Sequence, residues 1–209
     1  MISRLVLATH NAKKGGEMSQ ILGARFPILT IATLADFPGA PEPEETGSTY
    51  AQNARIKAES AAVFTEEWSL ADDAGLEIDA LDGAPGLHSK RFEGPATPFA
   101  EKMARILDAL RGIEGSARAA QFRCCVALAA PPALGQATRV FEATCEGRIA
   151  ERPSGSGGFG YDPIFFLPEK GCTMADLTAD DKHLVSHRGK VLRLLGDALD
   201  TIGVARWAK

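Results

Sequence analysis

The stretch Trp68-Ser-Leu-Ala-Asp-Asp-Ala-Gly-Leu-Glu-Ile-Asp-Ala-Leu-Asp-Gly-Ala-Pro-Gly-Leu-His-Ser-Lys-Arg-Phe92 decides how the chain is read. Its apolar run, Trp68 to Ala71, meets two adjacent carboxylates, Asp72 and Asp73, followed by Ala74-Gly75 and an alternating segment through Leu76, Ile78 and Ala80. That order predicts strand, acidic turn, strand. In an α/β sheet ligands gather at the carboxyl ends of strands, so the two carboxylates are placed where a hard cation or a water can be held. Adjacent strand residues face opposite ways, and both cannot be ligands without a bend. Asp73, at the turn, is the stronger candidate for chemistry. On local grounds alone Asp-Asp-Ala-Gly is also an ordinary solvated turn, because Asp and Gly are favoured there; the remainder of the chain has to decide.

With 209 residues the chain can bury a sizeable core, as one domain or as two lobes sharing a sheet, and one domain is the expectation. Hydrophobic residues make up 45% and charged residues 24%, the make-up of a soluble globular protein. A net charge of -4 argues against a nonspecific nucleic-acid surface, so an anionic ligand requires a local basic cluster. No apolar run approaches membrane-helix length, about 18 residues. Met1-Ile2-Ser3-Arg4 lacks the cationic start and long apolar core of a signal peptide. The expectation is a cytoplasmic protein with neither a membrane nor a nucleic-acid partner. Cys124, Cys125, Cys145 and Cys172 have neither C-x-x-C nor zinc-finger spacing and read as reduced, mostly buried small hydrophobes.

Outward from the acidic pair, Ile2 to Ala8 reads as a first strand feeding Thr9-His10-Asn11-Ala12-Lys13-Lys14-Gly15-Gly16-Glu17. Met18, Ile21 and Leu22 carry helical spacing, with Gly23 as the residue past the helix end. Gly15 and Gly16 cost roughly 1 kcal/mol each against alanine inside a helix, so the helix starts after them or needs bare backbone there. Thr9, Asn11 and Lys14 beside free N–H groups make a phosphate cradle, although the loop lacks a Walker pattern. Pro38 to Thr49 reads as an acidic loop holding Glu42, Glu44 and Glu45, leading to a helix that ends near Glu66 and carries Lys57, by default a snorkelling surface lysine. Thr97 caps a helix begun by Pro98, with Phe99, Met103, Ile106, Leu107 and Leu110 on its buried stripe. Gln121 to Ala130, Thr138 to Cys145 and Gly147 to Glu151 read as three strands of a meander. The glycine-rich loop Ser154 to Pro163 holds Phe159, Tyr161 and Asp162, and can lay backbone and an aromatic face against a flat ligand. Thr173 to His183 reads as a polar helix, and Ser186 caps the last one, which carries His187 and Arg188 in its first turn.

Six motifs in order, Thr9-x-Asn11-x-x-Lys14-x-x-Glu17, Glu45-Thr-Gly, Ala71-Asp-Asp-Ala-Gly-Leu, Ala84-Pro-Gly-x-x-Ser-x-Arg, Gly158-Phe-Gly-Tyr-Asp-Pro and Ser186-His-Arg-Gly, span almost the whole chain. The sequence thereby resembles the inosine triphosphate pyrophosphatase family. The resemblance implies an α/β fold, a long mixed sheet with flanking helices forming two lobes around a nucleotide cleft. It also implies a homodimer and a Mg²⁺-dependent reaction that converts ITP, dITP and XTP to the monophosphate and pyrophosphate. Position by position it implies phosphate binding by Thr9, His10, Asn11, Ala12, Lys13 and Lys14, assisted by Lys57. Asp73 becomes base and metal ligand, with Glu45 or Glu44 as a further metal carboxylate. Phe159, Gly160, Tyr161, Asp162, Lys182, His187 and Arg188 hold the nucleotide. Ala74 replaces the usual hydroxyl residue, so one substrate contact comes from backbone or is missing; His88, Lys90 and Gly15-Gly16 are also atypical.

The residues themselves agree with that chemistry. A triphosphate carries about four negative charges and needs Mg²⁺ and several cations in an acidic protein, for which Lys14, Lys57 and Lys182 are candidates. Mg²⁺ would bridge the phosphates to Asp73 and the acidic loop, while Asp73 or Asp72 orients the attacking water. Donors from His187 and Arg188 would meet the 6-oxo group of hypoxanthine or xanthine. The rival readings are a Maf-type pyrophosphatase acting on other modified nucleotides and a non-catalytic nucleotide-binding module.

Overall fold

The structure, a computed structural model, describes residues 2–204. A mixed seven-stranded sheet with flanking helices, the expected fold, has the strand order β2-β1-β3-β4-β5-β6-β7. Strand β1 (Arg4–Leu7) has Leu5, Val6 and Leu7 wholly buried, as a strand covered on both faces must be. It feeds α1 (Ala12–Arg25), and the chain returns as β2 (Thr30–Thr33) parallel to β1. Helix α2 (Tyr50–Thr65), capped by the Thr49 hydroxyl on the Gln52 N–H, leads into β3 (Trp68–Ile78), which lies parallel to β1 on its other side. After α3 (Phe99–Ala109) come β4 (Ala119–Ala129), β5 (Arg139–Ile149), β6 (Phe165–Leu167) and β7 (Cys172–Thr173), with β5, β6 and β7 pairing antiparallel in turn. Helices α4 (Ala179–Val185) and α5 (His187–Ile202) finish the described chain. No helix of the described residues is long and apolar enough to cross a membrane. Cys124, Cys125 and Cys145 are buried free thiols, and Cys172 is a partly exposed one.

The chain divides into two compact units. Among the described residues the first takes 2–73, Cys124–Ala143 and 188–204; the second takes Ala74–Arg123 and Thr144–His187. In the first, Met18 and Leu22 of α1, Ala54, Ala58 and Ala61 of α2, and Val191, Leu195 and Leu199 of α5 are buried, which is the apolar stripe each helix carries in its sequence. In the second, Leu76 and Ile78 of β3, Ile106 and Leu110 around the end of α3, and Phe122, Ile149, Phe165 and Leu167 form one apolar cluster.

Several local readings are corrected. Trp68 to Ile78 is one strand, with no turn at Asp72-Asp73, because both carboxylates find buried partners and tertiary contacts override the turn preference. Helix α1 starts at Ala12, runs through Gly15, Gly16 and Gly23, and ends where the Phe26 N–H bonds Leu22 O; the Asn11 cap sets its start, upstream of the glycines. Pro98 is the cap of α3, Thr97 donates its hydroxyl to Glu93 O, and Phe99 is 38% exposed. Only Ala179–Val185 of the segment expected as a polar helix is α-helical. Strand β5 runs unbroken through Gly147, where a break was expected. A Cβ there would lie 2.6 Å from Phe166 O and 2.7 Å from Phe165 Cζ, so the glycine lets β6 approach rather than ending the strand.

That contact makes a prediction. Gly147→Ala should lower stability by about 1–3 kcal/mol, the usual range for overpacking against a fixed backbone, read as a lower urea midpoint at unchanged slope. An unchanged midpoint would show that β6 can move aside.

Candidate active site

In the first unit, β1 gives way to a loop just where β3 continues. Leu7 is opposite Leu70, and the Ala8 N–H still bonds Leu70 O at 2.7 Å. Asp72 and Asp73 lie two and three residues further along β3, at the level where Thr9 to Asn11 leave the sheet. Both are buried, and alternation along the strand turns them to opposite faces. The partners bear this out: Asp72 meets side chains of α1 and α5, whereas Asp73 meets side chains of α2.

On the first face Asp72 Oδ1 accepts from Lys14 Nζ at 3.2 Å, and Oδ2 accepts from Arg188 Nη2 at 2.7 Å and Nε at 3.2 Å. Arg188 Nη1 donates to Glu17 Oε2 at 2.8 Å. Burial by itself would favour the protonated acid, but Lys14, Arg188 and Lys57 outweigh it and hold Asp72 far below the usual carboxylate range. Burial likewise opposes the Arg188 charge, and Asp72 and Glu17 overcome it. Arg188, expected to read a base beside His187, thus directs three nitrogens at carboxylates. Successive residues of a helix point about 100° apart, so the two sequence neighbours serve different groups.

The phosphate-cradle segment leaves β1 as expected, but its donors are already used. Thr9 Oγ1 accepts from the Asn11 N–H at 3.1 Å, and Asn11 Oδ1 accepts from the N–H groups of Lys13 and Lys14 at 3.1 and 3.2 Å. An anion arriving there exchanges with these caps. His10, Ala12 and Lys13 are exposed, and Lys14 is half-buried.

On the second face Asp73 Oδ2 accepts from Asn53 Nδ2 at 3.1 Å, and Oδ1 lies 3.4 Å from Lys57 Nζ. The same ammonium donates to Glu45 Oε1 at 2.8 Å. Lys57 is therefore no snorkelling surface group; its side chain is 16% exposed and ties the acidic loop to β3. Glu44 is exposed, so it is Glu45 that shares a cation with Asp73. Asn53 also accepts from the Gly47 N–H at 2.8 Å, clamping the end of the acidic loop. Burial raises the Asp73 pKa, Lys57 opposes it and Glu45 adds to it, and the net is upward. Asp73, Glu45 and Lys57 together leave one negative charge, and all their metal-capable atoms are hard oxygens. Among the described residues no group of three or more His, Cys, Asp or Glu could hold a metal. The pair fits Mg²⁺, which takes one or two carboxylates and completes its shell with water and phosphate oxygens.

In the second unit the glycine-rich loop folds onto one carboxylate. Asp162 Oδ2 accepts from the Phe159 N–H and from Lys182 Nζ, each at 2.7 Å, and that ammonium lies 4.8 Å from the Phe159 ring centroid. Gly158 and Gly160 have φ of 65° and 69°, and a Cβ on Gly158 would collide with the Asp162 carboxylate. Tyr161, expected to offer an aromatic face, is 3% exposed and donates its hydroxyl to Ser89 O at 2.9 Å, leaving the half-buried Phe159 as the accessible ring of the loop. Lys182, expected to meet a triphosphate, is buried against Asp162. His187 stacks on Phe122, with ring centroids 4.7 Å apart. Ala74 follows Asp73 on β3 and is half-buried. The residues that sequence reasoning left without a role are Glu17 and Asn53. Glu17 stood in the first motif; nothing local marks Asn53, an ordinary polar residue in a helix.

The chain resembles known proteins over most of its length. The model of the Ham1 family matches residues 5–198. A dITP/XTP pyrophosphatase from Geobacillus kaustophilus is 45% identical over 201 residues, 96% of each chain. One from Geobacter sulfurreducens is 45% identical over 204 residues, 97% of this chain and 100% of the other. Among solved structures, a HAM1 protein from Coxiella burnetii has a TM-score of 0.84 at 40% identity, covering 95% of this chain and 98% of its own. The Ham1 protein of Staphylococcus aureus has 0.84 at 34% identity, covering 96% and 100%.

The burial of Asp73 carries a prediction that needs no substrate. A carboxylate whose pKa is raised by the fold costs stability above its folded pKa, and the cost vanishes below the unfolded value of about 3.9. In metal-free protein Asp73→Asn, which keeps the acceptor for Asn53, should therefore be more stable than the parent at pH 7. Urea unfolding should show that advantage shrinking as the pH falls toward 3.5. An advantage of equal size at both pH values would exclude the Asp73 charge as its cause.

Proposed function

The chain belongs to the Ham1 family, and from that premise we propose that it hydrolyses non-standard purine nucleoside triphosphates (ITP, dITP and XTP) to the nucleoside monophosphate and pyrophosphate, with Mg²⁺. It is an enzyme, a nucleoside triphosphate pyrophosphatase acting on an acid anhydride. The observation that carries the proposal is Asp73, a buried carboxylate beside neutral Asn53, sharing Lys57 with Glu45.

When bound, Mg²⁺ would be held by Asp73 and Glu45 and would supply neutralising charge at phosphate oxygens. Asp73, whose proton affinity burial raises, takes a proton from the attacking water. The water oxygen bonds to phosphorus, the anhydride link between the α- and β-phosphates breaks, and pyrophosphate leaves. Lys57, freed in part from the two carboxylates, turns toward phosphate, which Lys14 and the segment Thr9 to Lys13 also meet. Ala74 offers only backbone. Phe159, with Gly160 beside it, is where a purine stacks, while Asp162 and Lys182 keep its ring in place and His187 supplies a donor for the 6-oxo group. From the motif resemblance we further propose a cytoplasmic homodimer, which light scattering on the purified protein checks in its oligomeric part.

The decisive assay is pyrophosphate release from ITP and XTP. We expect turnover with Mg²⁺, loss with EDTA, and an Asp73→Asn variant that turns over at least about 10²-fold more slowly while its fold, by circular dichroism, is kept. Turnover confined to modified pyrimidine triphosphates would favour a Maf-type activity, and binding without turnover a nucleotide-binding module. A near wild-type rate for Asp73→Asn would remove the base from that position.

A further inference from the structure

Two adjacent carboxylates stand at this site, and only one of them is available for chemistry. Asp72 is 2% exposed, and both of its oxygens are occupied by full cations, Oδ1 by the Lys14 ammonium and Oδ2 twice by the Arg188 guanidinium. A water seeking a base there competes with two charge-assisted hydrogen-bonding partners. Arg188 is held a second time, by Glu17, which lies on α1 one turn beyond Lys14. Among the described residues the four groups alternate in charge around a ring: Lys14, Asp72, Arg188, Glu17 and back along α1 to Lys14. Asp73 has no comparable arrangement, since its partners are a neutral amide and a lysine shared with Glu45.

We propose that Asp72 is a positioning residue whose buried carboxylate, bridging Lys14 and Arg188 with Glu17 as the second anchor, fixes the Lys14 ammonium before the phosphate chain arrives. The proposal rests on the pyrophosphatase reading. A free lysine side chain samples many rotamers, and one already held by Asp72 has less freedom to lose when an anion binds. Asp72 thus acts on ground-state binding of phosphate through Lys14, and Asp73 acts on the chemical step. The two neighbours divide binding from turnover because the strand turns them apart.

The test is the split between KM and kcat. Asp72→Asn, which keeps the shape, should raise KM for ITP at least about tenfold and leave kcat within about threefold, a pattern of lost uniform binding. Asp73→Asn should do the reverse. In a Lys14→Ala background, where KM is already raised, Asp72→Asn should add less than about twofold, since its effect runs through the missing ammonium. Glu17→Gln loosens the same guanidinium from a less buried place; it should raise KM several-fold at unchanged kcat, and it stands in for Asp72→Asn should that variant not fold. If Asp72→Asn instead turns over roughly 10²-fold more slowly at unchanged KM, Asp72 is a base and the proposal is overturned. So would full additivity with Lys14→Ala overturn it, or an unchanged KM in both Asp72→Asn and Glu17→Gln. Calorimetry with inorganic pyrophosphate separates this failure from failure of the functional reading: weaker binding in Asp72→Asn than in wild type supports the ring even if no triphosphate is turned over, and equal binding refutes it.

Discussion

Burying two neighbouring carboxylates in one strand is unfavourable unless each finds donors, and the alternation of a β-strand forces Asp72 and Asp73 to find them on opposite faces. Helices α1 and α5 must therefore deliver Lys14 and Arg188 to one side, and α2 must deliver Asn53 and Lys57 to the other. The caps, crossovers and apolar stripes of those three helices serve this delivery. A helix displaced by one turn, about 5.4 Å, would carry its donor out of hydrogen-bonding range.

The two faces are balanced differently. On the Asp72 face two cations meet two carboxylates among the described residues, and both Asp72 oxygens accept from a cation. On the Asp73 face, Asp73 and Glu45 share the Lys57 ammonium. Burial raises the Asp73 pKa, so its charge costs stability in the protein alone.

Glycine plays two separate roles in the second unit. At Gly147 it admits a neighbouring strand's backbone and ring, a matter of space alone. At Gly158 and Gly160 it supplies positive φ, which lets the loop fold back so that a single carboxylate, Asp162, receives both the Phe159 N–H and Lys182. The first role lets β6 approach β5, and the second brings Lys182 to 4.8 Å from the Phe159 ring centroid.

Much of this was legible in the chain itself. The apolar run of β1, the helical spacing in α1, α3 and α5 and the order of the six motifs are properties of neighbouring residues, so the mixed sheet, its flanking helices and the family follow from them, whereas the caps at Asn11 and Thr49 emerge only in the structure. What local sequence could not decide was continuity and partnership. Ala74-Gly75 and Gly147 both read as breaks, and both lie inside strands, because a glycine that ends a strand and one that admits a neighbour have the same letter. Asp72 and Asp73 are indistinguishable as residues. Lys14, Glu17 and Arg188 are separated by up to 174 residues in the chain, Glu17 and Arg188 by 171, and they meet only in the folded protein, as do Asn53 and Asp73. Which of the two carboxylates meets two cations, and which meets an amide and a shared lysine, depends on what reaches each face of the strand, and long-range packing alone brings it there.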